Sequence, residues 1–337
     1  MPFACSSTRW SLPMVALLLV AVATTPLAAQ NGRLEPAPSV APPTPAPPPA
    51  PAAGSTVPWW VWPLVLFVFC FALGIVAVVA GVGGGVLYVP LVAGFFPFHI
   101  DFVRSSGLLI GLAGALAAGP GLIQRGLASL RLVLPCALAA SIGSLIGAHV
   151  GLAMEGPQVE LALGLCMIAV LALMLAARSD EFPAAGRESR LAAWLGLGGA
   201  YHEESLGRQV TWNVHRVGLG LVLFVGVGFL GGMFGLGAGW ANVPLLNLGM
   251  GLPLKMAVAG SVLLISISNA TAAWEYLDRG AWLPIMAIPS MLGLMLGTGI
   301  GVKLLGRSRP RNVRTVVIAV LAFAALRTIL KGLGIWT

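Results

Sequence analysis

Apolar runs of roughly twenty residues, separated by short polar stretches, repeat along the chain from Trp59 to the C-terminus. Each run is close to the length that an α-helix needs to cross a bilayer. Strand-like alternation is weak, which argues against an outer-membrane barrel. The pattern therefore predicts an all-α polytopic membrane protein with ten helical segments, at 61–80, 86–98, 103–123, 132–152, 159–177, 217–234, 241–252, 256–277, 282–305 and 313–330.

The last five segments repeat the first five at an offset of 154 residues. Gly-Val-Gly-Gly-Gly at 81–85 returns as Gly-Leu-Gly-Ala-Gly at 235–239, and Val-Pro-Leu follows both phrases at the same distance. The Arg-Gly pairs at 125–126 and 279–280 also match. In each set, the segment after the glycine phrase is short enough to be a half-helix or a strongly tilted span. Five segments per copy predict two inverted repeats, a construction shared by many secondary transporters.

Two stretches precede the first span. Residues 1–29 combine Arg9, an apolar core of about twelve residues and a small-residue end, which is typical of a cleaved signal peptide. An uncleaved anchor is the alternative. Residues 30–58 are mostly Pro and Ala and are predicted to form an extended periplasmic tether. The predicted domains that follow are the membrane repeats at 59–177 and 217–337, joined by a cytoplasmic linker at 178–216.

Composition and charge agree with a membrane protein. Hydrophobic residues make up 58% of the chain and charged residues 9%, against roughly 25% charged residues in typical soluble domains. If the mature N-terminus is outside and both short segments cross, thirteen Lys and Arg fall on the inside and five, including Arg104, on the outside. The positive-inside rule then favours this orientation, with a periplasmic mature N-terminus. The formal charge of +8 is thus assigned to membrane orientation, and no nucleic-acid partner is predicted.

The two glycine phrases are the predicted substrate site. Three glycines within five residues of a membrane segment suggest that side chains there would block a function. A helix that begins after each phrase would point free amide groups at an oxyanion; a tight turn for close packing is the alternative. The predicted substrate-binding residues are the phrases and nearby polar side chains: Gly83, Gly84, Gly85, Ser105, Ser106, Gly237, Ala238, Gly239, Asn242, Ser261, Ser268 and Asn269.

No pattern in the sequence predicts a catalytic residue, a metal site or a cofactor. The histidines lack metal-ligand spacing, and no phosphate loop, dinucleotide fingerprint or nucleophile elbow occurs. His149 lies inside a predicted span, where packing is favoured over proton relay; Glu275 and Asp278 are other candidate proton carriers. Glycines at every fourth position near 143–151 and 293–301 predict close helix packing. Transport energy would come from a proton, cation or substrate gradient.

The glycine phrases with Val-Pro-Leu, the Arg-Gly turns and the glycine stripes resemble the TauE/SafE family of sulfite exporter-like permeases, over about residues 65–333. Ala238 departs from the first phrase, and Arg104-Ser105-Ser106 stands where members often carry Gly-Thr-Ser. The resemblance implies a bacterial inner-membrane permease that exports small sulfur-containing anions, such as sulfite, sulfoacetate or other organosulfonates. Two other classes stay open: a membrane-embedded enzyme acting on a sulfur compound or lipid through Cys136 or His149, and a non-transporting anchor.

Overall fold

The computed structural model describes residues 58, 60–80, 84–96, 98–124, 126–176, 189–203, 208–305 and 310–333. The predicted signal peptide and, apart from Pro58, the predicted tether lie outside these residues. The chain divides into two units, Met1–Trp62 and Pro63–Thr337. The membrane helices belong to the second unit, apart from the first two residues of the first helix.

Helices occur at all ten predicted positions. The first set is α1 (Val61–Ala80), α2 (Gly84–Phe95), α3 (Ile100–Gln124), α4 (Leu130–Ala153) and α5 (Gly156–Ala176). After α6 (Arg190–Leu195), the second set is α7 (Val217–Phe234), α8 (Gly239–Pro244), α9 (Leu254–Asp278), α10 (Pro284–Leu305) and α11 (Pro310–Gly332). Among the described residues, five helices are long and apolar enough to span a membrane: α3, α4, α5, α7 and α9. The predicted all-α polytopic class is confirmed.

The helices that follow the glycine phrases are short, as predicted. α2 has 12 residues and is therefore about 18 Å long at 1.5 Å per residue, well short of the ~30 Å hydrocarbon core. α8 has 6 residues and leads at Pro244 into a wider helical turn over Leu245–Gly249. A proline lacks the amide hydrogen that a regular turn would use, which accounts for the change of helix type at that point.

The linker contains a β-hairpin that the hydrophobic pattern did not predict. Strands β1 (Gly199–Glu203) and β2 (Arg208–Trp212) pair antiparallel. Leu197, Trp212 and Val214 are buried in one cluster with residues of α4 and α7. The described part of the linker therefore packs against the membrane helices.

The Arg-Gly turns end α3 and α9 in the same way. Gly126 and Gly280 have φ angles of +66° and +65°, a left-handed conformation that glycine adopts without steric cost. The following amides, of Leu127 and Ala281, donate to carbonyls five residues earlier at 3.2 Å and 2.8 Å. Both helices thus close with the same glycine cap. Arg125 lies outside the described residues.

The glycine stripe of α4 packs directly on the backbone of α7. A Cβ added to Gly143 would overlap the Val225 carbonyl, and one added to Gly147 would overlap the Phe229 carbonyl. These contacts advance in the same direction along both helices, so α4 and α7 run parallel. This contact between two backbones is the close packing that the four-residue spacing predicts.

The same packing recurs between α1 and α10. A Cβ on Gly297 would overlap the Phe71 carbonyl. Gly297 lies 154 positions after Gly143, and Phe71 lies 154 positions before Val225, so this contact is the repeat-related copy of the contact between Gly143 and Val225. The contact of α1 with α10 is therefore the counterpart, at an offset of 154 residues, of the contact of α4 with α7.

Candidate functional site

The two glycine phrases lie against each other. A Cβ on Gly85, in the first turn of α2, would lie 2.8 Å from the Leu236 carbonyl oxygen and 3.0 Å from that of Gly107. Gly107 belongs to α3, and a Cβ there would lie 2.5 Å from the Gly235 carbonyl oxygen. Because contacts below 3.0 Å to backbone atoms cannot be relieved by side-chain movement, only glycine fits at these positions.

A cavity of about 400 Å³ lies beside this contact. Its walls come from both phrases and from six helices: Ala77 (α1); Gly84, Gly85 and Val86 (α2); Ile110, Gly111, Gly114, Ala115, Ala117 and Ala118 (α3); Leu236 and Gly237; Gly239 (α8); Val262 and Ile265 (α9); Leu294, Met295, Thr298 and Gly299 (α10). Among these residues, Thr298 carries the single polar side chain. Polar recognition inside the cavity therefore depends on backbone groups and one hydroxyl.

Four of the predicted site residues line the cavity: Gly84, Gly85, Gly237 and Gly239. Gly83 lies outside the described residues. The other seven do not line it: Ser105, Ser106, Ala238, Asn242, Ser261, Ser268 and Asn269. All seven are buried, so they pack behind or beside the wall.

Asn269 supports the wall from behind. Its side-chain Nδ2 atom lies 2.7 Å from the position of a Cβ on Gly111 and 3.1 Å from that of a Cβ on Gly237. The same atom donates a hydrogen bond to the Leu108 carbonyl at 3.3 Å. Asn269 therefore connects α9 to α3 at the point where the second phrase meets the cavity.

Two of the four predicted serines bond to their own helices. The Ser105 hydroxyl donates to the Phe102 carbonyl at 3.0 Å, and the Ser268 hydroxyl donates to the Leu264 carbonyl at 2.9 Å. Ser144 donates to the Ser268 carbonyl at 2.7 Å. These bonds match the local and interhelical bonding that hydroxyl side chains make in membrane helices.

Asn242 stands apart from the serines. It is fully buried in α8, and neither polar atom of its side chain has a hydrogen-bond partner among the described residues. The backbone amide of Asn242 donates a hydrogen bond to the carbonyl of Ala238, which precedes α8, at 3.0 Å. Buried polar side chains are normally hydrogen-bonded. The Asn242 side chain can still donate through Nδ2 and accept through Oδ1.

A buried hydroxyl cluster lies one helical turn beyond the cavity. The Tyr88 hydroxyl lies next to those of Ser106 and Ser290. Neither the Tyr88 hydroxyl nor the Ser106 hydroxyl forms a hydrogen bond with a described residue. These residues follow Gly84 by one turn on α2 and precede lining residues by one turn on α3 and α10. Of the three, Ser106 alone was predicted.

The cavity differs at its two ends. Toward the C-terminal ends of α3 and α10, its lining residues Ala117, Ala118 and Gly299 are exposed. In the opposite direction, Tyr88 and Ser290 are buried with no accessible surface. The cavity is therefore open toward the ends of α3 and α10 and closed toward their beginnings.

Arg104 is buried among the helices, whereas the charge count places it on the outside. It belongs to the second turn of α3, and its side chain has no accessible surface. Removing it from the count leaves thirteen inner against four outer cations, so the asymmetry persists. The signal that identifies it is Asp101, one helical turn earlier, with which it forms an ion pair.

His149, for which the sequence suggests no partner, belongs to a charged cluster. Its Nδ1 lies 3.0 Å from the Glu275 carboxylate, to which Arg279 donates at 2.8 Å. The His149 side chain is 63% exposed. Neither His149 nor Cys136 lines the cavity, beside which the enzyme hypothesis would place them.

Comparison with known proteins agrees with these features. Residues 65–328 match the model of the family described as Sulfite exporter TauE/SafE. Over 278 residues the chain is 24% identical to the "Probable membrane transporter protein YunE" of Bacillus subtilis (strain 168), covering 80% of this chain and 98% of that protein. No solved structure matches the chain. These matches and the apolar helices identify a multi-pass membrane transporter. The chain belongs to the sulfite exporter TauE/SafE family.

Proposed function

We propose that this protein is a secondary transporter that exports small sulfur-containing anions through the cavity between its two glycine phrases. The observation that carries the proposal is the meeting of both phrases at one cavity, with the first turn of α2 in its wall. The substrate class follows from the family, whose description names sulfite export.

The first turn of α2 supplies the anion-binding groups. The first four amides of a helix have no partner within it, and the helix dipole makes that end positive. Gly84 and Gly85 bring these amides to the cavity wall without side chains in front of them. An oxyanion can accept hydrogen bonds from such amides.

The lack of a lining cation among the described residues restricts the charge of the substrate. Lys, Arg and His are absent from the cavity wall, so amide dipoles and the Thr298 hydroxyl must offset the free-energy cost of desolvating the anion. The free-energy cost of removing an ion from water rises steeply with its charge. The site should therefore prefer a monoanion, such as hydrogen sulfite or a sulfonate, to a dianion.

Alternating access is supported by two features. The cavity opens toward the ends of α3 and α10, which the charge count assigns to the cytoplasm, so an exported anion would enter there. The matched packing of α4 on α7 and of α10 on α1 is compatible with two halves that exchange conformations. A proton or cation gradient would drive the cycle.

The test is counterflow of radiolabelled sulfite in proteoliposomes. Gly84→Leu and Gly239→Leu add bulk inside the cavity, and we expect each to lower saturable flux by at least about tenfold, the loss from a binding defect of ~1.4 kcal/mol. Gly156→Leu is the matched control, because a Cβ at Gly156 meets nothing within 4 Å and the residue lies away from the cavity. Flux retained in both cavity variants would place the path elsewhere. Absence of flux in the unmodified protein, with sulfite and with sulfonates, would reject the proposed substrates.

A further inference from the structure

Arg104 is the largest side chain buried completely within the described residues. Its Nη1 donates to the Met233 carbonyl at 2.8 Å, and its Nη2 donates to the Gly151 carbonyl at 3.1 Å. Nη2 also donates to the Asp101 carboxylate. The guanidinium thus connects the beginning of α3 to the ends of two other helices.

The electrostatics explain why this cation can be buried. Met233 lies in the last turn of α7 and Gly151 in the last turn of α4, where helix dipoles are negative. Asp101, in the first turn of α3, supplies a full negative charge. A buried charge is tolerated only when it is paired and hydrogen-bonded; Arg104 is paired with Asp101 and hydrogen-bonded through both Nη atoms, while its buried Nε has no partner among the described residues.

Tyr276 of α9 binds the same end of α7. Its hydroxyl lies within hydrogen-bond distance of the Gly232 carbonyl at 3.1 Å and the Met233 carbonyl at 3.2 Å. The Arg104 guanidinium lies over its ring, with Cζ 5.6 Å from the centroid. Two side chains from different helices therefore converge on the Met233 carbonyl.

These bonds lie directly before the second glycine phrase. α7 ends at Phe234, and Gly235 turns the chain with a φ angle of +69°. A Cβ on Gly235 would overlap the Arg104 carbonyl. The next two residues, Leu236 and Gly237, line the cavity. The position of this wall segment is thus set by the end of α7 that Arg104 and Tyr276 hold.

We propose that Arg104 and Tyr276 are positioning residues that hold the second glycine phrase in its substrate-binding geometry. The proposal rests on the function proposed above for the cavity. Neither side chain touches the cavity, so both act through the Met233 carbonyl and the Gly235 turn. Their loss should loosen the wall segment and weaken anion binding without altering the groups that contact the anion.

The first test is amide hydrogen exchange of the full-length protein in lipid nanodiscs. In Arg104→Gln and in Tyr276→Phe, we expect the peptide over residues 232–240 to exchange about tenfold faster, the effect of losing roughly one net hydrogen bond. Arg279→Gln is the matched control, because Arg279 is a partly exposed arginine that bonds to Glu275. Exchange in α5 and α11 should stay unchanged, which separates local loosening from general destabilisation.

The second test is sulfite transport by the same variants. We expect KM to rise about tenfold in Arg104→Gln and less in Tyr276→Phe, with Vmax per folded molecule changed far less. A general folding defect would instead lower Vmax per total protein and leave both KM and Vmax per folded molecule unchanged.

Unchanged exchange over residues 232–240 in both variants would overturn the proposal, whatever the transport result. If Arg104→Gln does not give monodisperse protein, Tyr276→Phe decides the question, because it removes one hydroxyl and leaves the buried ion pair intact. If the unmodified protein moves no sulfite, the proposed function fails, while the exchange experiment still reports whether Arg104 and Tyr276 position the wall segment.

Discussion

The packing of α4 on α7 makes a quantitative prediction for Gly228→Ala. A Cβ at Gly228 would overlap the Ala140 carbonyl oxygen and would lie 2.8 Å from its carbon and 2.9 Å from Ala140 Cα. Favourable carbon contacts lie at about 3.5–4.0 Å, so the two helices would have to separate by roughly 1 Å. Both contacting groups are backbone, and a rotamer change cannot relieve the overlap.

The expected cost follows from two opposing terms. Overpacking a close contact destabilises by about 1–3 kcal/mol, and replacing a mid-helix glycine by alanine regains up to about 1 kcal/mol of helix propensity. We expect a net loss of about 1–2 kcal/mol for Gly228→Ala. Gly74→Ala, at the equivalent position of α1, should behave similarly, because its Cβ would lie 2.7 Å from the Leu294 carbonyl oxygen.

The assay is the apparent melting temperature of the purified protein in one detergent. At about 2–4 °C per kcal/mol for a domain of this size class, both variants should melt roughly 2–8 °C below the parent. Gly299→Ala is the matched control, since a Cβ there meets nothing within 4 Å, and we expect no loss of stability. If Gly228→Ala and Gly299→Ala have the same melting temperature, the backbone contact of α4 with α7 does not limit stability and the packing argument is wrong.

Three further predictions concern other parts of the molecule. Gly237 has a φ angle of +65°, so Gly237→Ala should lower the stability of the folded protein by about 1–2 kcal/mol. Thermal melts should show a lower melting temperature, and an unchanged one would contradict the left-handed geometry. Burial and then the charge of Arg216 lower the pKa of His215 from its ordinary 6.5. The unfolded chain therefore binds the proton more readily, so stability should fall as the pH drops below about 6.5; His215→Gln should show a smaller fall, and equal pH profiles would refute this. Lys331 lies 2.8 Å from the Glu160 carboxylate in a partly buried pair, and Lys331→Met should lower stability by about 1 kcal/mol in the same melts, whereas no loss would mean that the pair contributes nothing.

The helical segments were predictable because lipid imposes a length and a composition on any helix that crosses it. The predicted bounds 61–80 and 217–234 coincide with α1 and α7. The half-helices were predictable for a different reason: each follows a glycine phrase that occurs twice at a fixed offset. A repeated irregularity is stronger evidence than a single one, since chance rarely places it in the same register.

Arg104 was not predictable as a buried residue from hydropathy or charge counting. A cation near the end of an apolar run is usually interfacial, and its burial here depends on carbonyls of Met233 and Gly151, which are 129 and 47 residues distant in sequence. The contribution of α10 to the cavity wall likewise depends on contacts between residues that are distant in sequence. Thr298 faces the cavity because α10 packs on α1, a contact between distant helices that no local pattern encodes.

The two interpretations of the glycine phrases, an anion site and a packing turn, are not exclusive. Gly85 touches the Leu236 carbonyl at a distance that excludes any side chain, and it also lines the cavity. Both properties require the absence of a Cβ, so the sequence pattern is the same for either one. What separates them is where the backbone groups lie: amides turned toward another backbone can only pack, whereas amides at a cavity wall can also bind. The first turn of α2 has both surroundings, because the second phrase covers one side of it and the cavity lies on the other.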